Sequence, residues 1–171
     1  DKRFVQSYLT TFKNMVYNSF DWAVRDDDGY FFILGRTDDV INVASHRLGT
    51  REIEEAIQNH PGVAEVAVIG VADKLKGQVP VGFCRLKDPR QLEEPGAEAR
   101  LEKEVIGKVQ ELLGVVAKPS RIHFVNALPK TRSGKLLRRS IQALVEGRDP
   151  GDLSTLDDPN SLEGVRRAIG H

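Results

Sequence analysis

Two long apolar runs lie in mid-chain, Val63 to Val71 and Val79 to Leu86, joined by a polar turn through Asp73-Lys74 and Gly77. β-Branched and aromatic side chains at this density, bounded by turn formers, make strands. A third strand is expected at Arg121 to Val125. Apolar periodicity predicts helices between and after them. Thr50 to Asn59 places Ile53, Ala56 and Ile57 on one face, and His60-Pro61-Gly62 stops it. Glu52, Glu54 and Glu55 lie near its N-terminus, where the helix dipole favours anions. Leu101, Val105, Val109, Leu112 and Leu113 mark a second helix ending at Gly114. A last helix is expected from near Lys135, with Leu137, Ile141, Leu144 and Val145 on one side and Gly147 closing it. Ahead of these, Val40-Ile41-Asn42-Val43 and His46-Arg47-Leu48 read as a short hairpin. The expected fold class is α+β: a short β-hairpin and a roughly three-stranded sheet, with helices on one sheet face.

Residues 1–35 end in the strand-like run Tyr30-Phe31-Phe32-Ile33-Leu34, entered through Asp26-Asp27-Asp28-Gly29. So short a stretch cannot enclose its own core, and a chain opening in mid-pattern at Asp1 is expected to be part of a longer protein. Residues 148–171 read as a turn-rich extension with a short helix carrying Leu162, Val165 and Ile169. Lys plus Arg equals Asp plus Glu, 25 each, so no net charge draws the chain to nucleic acid or an anionic membrane. No run approaches the ~18 apolar residues of a membrane span. The single Cys84 leaves no internal disulfide, which points to a reducing, cytoplasmic setting.

Three polar clusters could carry chemistry. In Gly35-Arg36-Thr37-Asp38-Asp39, an Arg beside carboxylates at a strand end can hold a ligand phosphate, or simply pair locally on a surface turn. Asn42, His46 and Arg47, with Ser45 and Gly49, crowd polar groups onto the hairpin; they serve either a ligand or a solvated edge. Pro129-Lys130-Thr131-Arg132-Ser133-Gly134-Lys135 is a basic loop leading to a helix. It is not a Walker loop, because Pro129 stands where the first Gly is needed and Leu136 where Ser or Thr is needed. Lys130, Arg132, Lys135, Arg138 and Arg139 could instead form a phosphate- or nucleic-acid-binding patch, although no aromatic is interleaved with them. His60, His123 and His171 lack metal-ligand spacing, and Cys84 reads as packing.

In order and spacing these segments resemble the AMP-forming acyl-CoA synthetases of the adenylate-forming superfamily. The resemblance runs through Asp26-x-Asp28-Gly29-Tyr30, Gly35-Arg36-x-Asp38-Asp39-Val40-Ile41-Asn42-Val43, His46-Arg47-Leu48-Gly49-Thr50, Glu52-x-Glu54 and Pro129 to Lys135. It implies that residues 1–37 end a large N-terminal domain binding ATP and carboxylate. It further implies that residues 38–147 form a small mobile C-terminal lid with its hinge at Asp38, followed by the extension 148–171. By the same resemblance Asp21 holds the ATP ribose, Arg36 lies at the nucleotide, and Lys135 is the catalytic lysine of adenylation. Asn42, His46 and Arg47 then line the nucleotide and CoA side. Ser45 replaces the usual Gly beside the CoA channel, and Gln110 replaces an Arg for CoA phosphate. The implied substrates are a short-chain carboxylate, ATP with Mg²⁺ and CoA, with the Mg²⁺ ligands in the N-terminal domain. Phe20-Asp21-Trp22-Ala23 and the tail Glu146 to Leu153 favour propionate over acetate as the acid. Acylation of Lys135 by an acyltransferase, reversed by a deacylase, is a further implied partnership.

Overall fold

The computed structural model describes residues 2–10, 16–37 and 39–170. The chain divides into two compact units, residues 1–40 and 41–171.

The first unit contains helix α1 (Lys2–Tyr8) and an antiparallel ribbon of β1 (Asp21–Arg25) and β2 (Phe31–Arg36). In the turn between the strands Tyr30 N–H donates to Asp26 Oδ1 at 2.8 Å, and Gly29 adopts a φ of 91°, which suits a residue without Cβ. Strand β2 runs past Leu34 to Arg36, and β1 is a partner that periodicity did not announce. Tyr30, Phe31, Phe32 and Ile33 stay 56–69% exposed. A two-stranded ribbon has too little area for a dry core.

The second unit is built on a five-stranded mixed sheet. Strands β5 (Val63–Asp73) and β6 (Gly77–Leu86) form its long antiparallel ladder, and β7 (Arg121–Phe124) runs parallel to β6 on the other edge. The hairpin of β3 (Val40–Val43) and β4 (His46–Gly49) joins the same sheet where Val43 pairs with Gly77. The expected hairpin and three strands are therefore one sheet.

Helices cover both faces of that sheet, not one. On one side Ile53 and Ile57 of α2 (Thr50–Gln58) and Val105 and Val109 of α3 (Ala97–Leu113) pack on Val66, Val68 and Cys84. On the other, Ile141 and Leu144 of α4 (Arg138–Val145) and Leu162 and Val165 of α5 (Pro159–Ala168) pack on Ala67, Ile69 and Phe83. Successive strand residues point to opposite faces, so the unbroken run Val66 to Ile69 demands two apolar covers. The extension supplies part of the second cover, since Leu156, Leu162 and Val165 belong to it. Gly82 in β6 is a packing glycine: a Cβ there would stand 2.6 Å from Ile122 Cδ1 and 3.5 Å from Ile57 Cδ1.

Candidate functional site

The segment 129–137 is a braced loop, and α4 starts at Arg138 instead of near Lys135. The delay has a hydrogen-bonding cause. Thr131 takes both backbone groups of Lys135: its N–H donates to the Lys135 carbonyl at 2.8 Å, and its Oγ1 accepts the Lys135 N–H at 3.1 Å. Leu136 bridges back to Lys130, and Leu137 N–H donates to the Pro129 carbonyl. With these groups committed to the loop, helical bonding can begin only afterwards. Gly134 closes the turn at φ 83°, donating to the Thr131 carbonyl. The Lys135 side chain projects from this frame, exposed.

Two ion-pair anchors hold the loop at its ends, and neither was foreseen. Lys130 Nζ lies 2.6 Å from Glu65 Oε2 on β5, while Arg85 of β6 binds the other oxygen at 3.0 Å. The Lys130 ammonium is the leading cause that holds the Glu65 carboxyl below its usual range, with Arg85 adding to it. Downstream, Arg138 forks onto Glu54 of α2, with Nε at 3.2 Å and Nη2 at 2.9 Å from Oε1. The same Oε1 accepts Val68 N–H at 2.9 Å. Glu54 thus turns away from the helix dipole to tie α2, β5 and α4 together. A third support comes from the extension: Thr131 bridges to Leu156, and Arg132 N–H donates to the Thr155 carbonyl at 3.2 Å. These pairings also weaken the nucleic-acid patch, because Lys130 and Arg138 are neutralised by carboxylates.

The β3–β4 hairpin carries Asn42, His46 and Arg47, all exposed. Ile41 and Val43 face the core, so the pleat sends Asn42 to the outer side, where its N–H donates to Gln78 Oε1 at 2.8 Å. His46 and Arg47 are consecutive on β4 and point to opposite faces, so they do not converge. Ala44 and Ser45 make the turn with φ 47° and 71°. Both lie in the left-handed region, which at position 45 favours Gly over Ser.

In the first unit, the ribbon register sets Asp21 opposite Arg36, with Arg36 Nη1 3.8 Å from Asp21 Oδ1. The guanidinium also lies 6.0 Å from the Phe20 ring centre. Asp38 falls outside the described residues. Among the described residues no group of three or more His, Cys, Asp and Glu could hold a metal, and no helix is long and apolar enough to cross a membrane. Cys84 is buried, and desolvation pushes its thiol up to about 12, as expected of a packing cysteine. His123 stacks on Phe83 with ring centres 5.0 Å apart, and burial lowers its pKa.

Residues 52–135 match the family model of the AMP-binding enzyme C-terminal domain. The chain is 59% identical over 169 residues to propionate–CoA ligase of Escherichia coli strain K12, covering 99% of this chain and 27% of that protein. It is 47% identical over 167 residues to acetyl-coenzyme A synthetase of Pyrobaculum aerophilum, covering 98% and 24%. The chain therefore spans about a quarter of the length of these relatives. Among solved structures, o-succinylbenzoate CoA synthetase from Bacillus subtilis, in complex with its acyl-adenylate intermediate, is similar with a TM-score of 0.61 at 28% identity. That match covers 75% of this chain and 25% of the other. Residues 52–135 are thus similar to an AMP-binding enzyme C-terminal domain, and the chain as a whole is similar to about a quarter of propionate–CoA ligase and of acetyl-coenzyme A synthetase.

Proposed function

We propose that the chain is the mobile C-terminal part of a short-chain acyl-CoA synthetase whose acid is propionate. The observation that carries this reading is Lys135, an exposed ammonium on a loop fixed by Thr131, Glu65 and Glu54. In the proposed reaction a carboxylate oxygen attacks the α-phosphorus of ATP and pyrophosphate leaves. The CoA thiol then attacks the acyl carbon, and AMP leaves. In the first step the anionic carboxylate attacks an already anionic α-phosphate, so a positioned ammonium acts there; in the second the new bond forms at the acyl carbon, and the ammonium is proposed to have swung away. Arg36 and Asp21, adjacent across the ribbon, suit a phosphate and the ribose hydroxyls respectively. Asp38 is the proposed hinge, about which residues 38–147 swing against a large N-terminal domain. ATP is taken to arrive with Mg²⁺, whose ligands the family resemblance assigns to the larger domain. Propionate is preferred to acetate on the higher identity to the propionate ligase, 59% against 47%. A cytoplasmic setting and reversible acylation of Lys135 complete the proposal.

The test is to run both half-reactions on the full-length enzyme carrying Lys135→Ala. Adenylation should fall about 10²–10³-fold, while conversion of supplied propionyl-adenylate to propionyl-CoA continues. The 171-residue chain alone should show no ATP–pyrophosphate exchange. Loss of both half-reactions together, or exchange by the chain alone, would refute the assignment.

A further inference from the structure

The segment 129–132 has two edges, and its hairpin partner 135–137 takes one of them. On that edge Thr131 N–H donates to the Lys135 carbonyl at 2.8 Å and Leu137 N–H to the Pro129 carbonyl at 3.0 Å. The extension takes the other. Asp157 N–H donates to the Lys130 carbonyl at 2.9 Å and Arg132 N–H to the Thr155 carbonyl at 3.2 Å, on either side of the antiparallel pair Thr131–Leu156. Thr131 is therefore the middle of three short stretches: it pairs with Leu156 on one side and binds both backbone groups of Lys135 on the other. A two-stranded ribbon this short is marginally stable and twists readily, and a third stretch along its open edge removes that freedom.

The third stretch is itself tied down. Leu156 is 9% exposed and belongs to the core that holds Ile69, Phe83 and Leu162. Upstream, Ser140 Oγ of α4 donates to the Pro150 carbonyl at 3.0 Å. Downstream, Asp158 caps α5 by accepting Asn160 N–H at 2.9 Å, and α5 is buried through Leu162 and Val165. The Lys135 side chain is exposed, so the direction of its ammonium is set through the backbone that Thr131 holds. Packing at Leu156 thus reaches Lys135 through a single residue. Residues 153–157 lie beyond the family match, which stops at residue 135.

We infer that residues 153–157 are a strap that positions Lys135 for adenylation, with Leu156 and the Asp157 N–H acting through Thr131. The inference rests on the reading of Lys135 as the adenylation lysine. The strap touches no reacting atom. A slack strap lets the ammonium wander, and misplacement by about 1 Å can cost about 100-fold in a positioned step. The thioester step, from which the ammonium is proposed to have swung away, should be untouched.

The experiment compares, in the full-length enzyme, Asp157→Pro, which deletes the N–H given to Lys130, with Asp157→Ala, which keeps it. Asp157→Pro should lower the turnover of ATP–pyrophosphate exchange about 10- to 100-fold and keep the Michaelis constant for ATP within about twofold. Conversion of supplied propionyl-adenylate to propionyl-CoA should not change, and Asp157→Ala should match the parent. In a Lys135→Ala background, Asp157→Pro should add no further loss, because the strap acts only through that ammonium. If Asp157→Pro does not fold, Leu156→Val loosens the same pairing from the core side and should give the same split at about threefold. Three results overturn the strap: exchange at the parental rate in the folded variant, equal loss of both half-reactions, or a further loss on top of Lys135→Ala. Lys135→Ala also controls for the underlying reading. If it fails to split the half-reactions, that reading falls and the strap with it; if it splits them and the strap variants do not, only the strap falls.

Discussion

Glu54→Ala removes an acceptor shared by α2, β5 and α4. Four hydrogen bonds to it disappear together: three in the fork from Arg138, of 2.9 to 3.2 Å, and the Val68 N–H bond of 2.9 Å. Breaking one side of a fully buried ion pair costs about 3–5 kcal/mol, because the partner is left charged and dry. Here the Glu54 and Arg138 side chains are 13% and 25% exposed, so water can partly reclaim the guanidinium. A discounted loss of about 2 kcal/mol follows, mostly from Arg138 and the Val68 amide. Urea unfolding of the 171-residue chain measures it. With an m-value of roughly 2 kcal/mol/M, the midpoint should drop by about 1 M with no change in slope. Arg138→Met and the double variant complete a cycle whose coupling energy should exceed about 1 kcal/mol. Midpoints within about 0.2 M of the parent, or additive single effects, would show that the pair is solvated and does not brace the start of α4.

Glu65→Gln should alter the acid limb of stability. The Glu65 carboxyl titrates below the ordinary 4.5 in the folded chain, chiefly through Lys130, so its stabilisation is present above the unfolded value and is lost as pH falls through the lowered one. Stability of the variant should thus be less than parental near neutrality and flatter below about pH 4.5; parallel curves in acid titrations followed by circular dichroism would refute this. Ser45→Gly releases a residue held at φ 71° and should stabilise the chain by about 0.5–1 kcal/mol, seen as a raised midpoint. In the full-length enzyme it should also lower the Michaelis constant for CoA while leaving adenylation unaltered. Gly82→Ala forces Ile122 Cδ1 from 2.6 Å and should destabilise by about 1–3 kcal/mol; a midpoint unchanged in urea would mean that Ile122 swings aside freely.

Local pattern was enough for most of the elements. The stripe Ile53, Ala56, Ile57 and the runs that became β5 and β6 are periodicities of a few residues, and burial follows from them directly. The motif 129–135 was legible because its residues are contiguous, and the family likeness then attached a role to Lys135. Where α4 begins was not legible: Leu137 fits a helical stripe, but Thr131 had already taken the Lys135 backbone, and periodicity does not register that competition. Nor was the second helical layer, although Val66 to Ile69, apolar at consecutive positions, was a signal that both faces of β5 need cover. The anchors Glu65–Lys130 and Glu54–Arg138 join residues 65 and 84 positions apart. Nothing in one sequence selects those partners among 25 cations and 25 carboxylates. Short-range regularities therefore decided which segments are helix, strand or loop, because they depend on neighbours within a turn or a pleat. Which charges meet depends on through-space distance, which only the packed sheet and its two helical covers set.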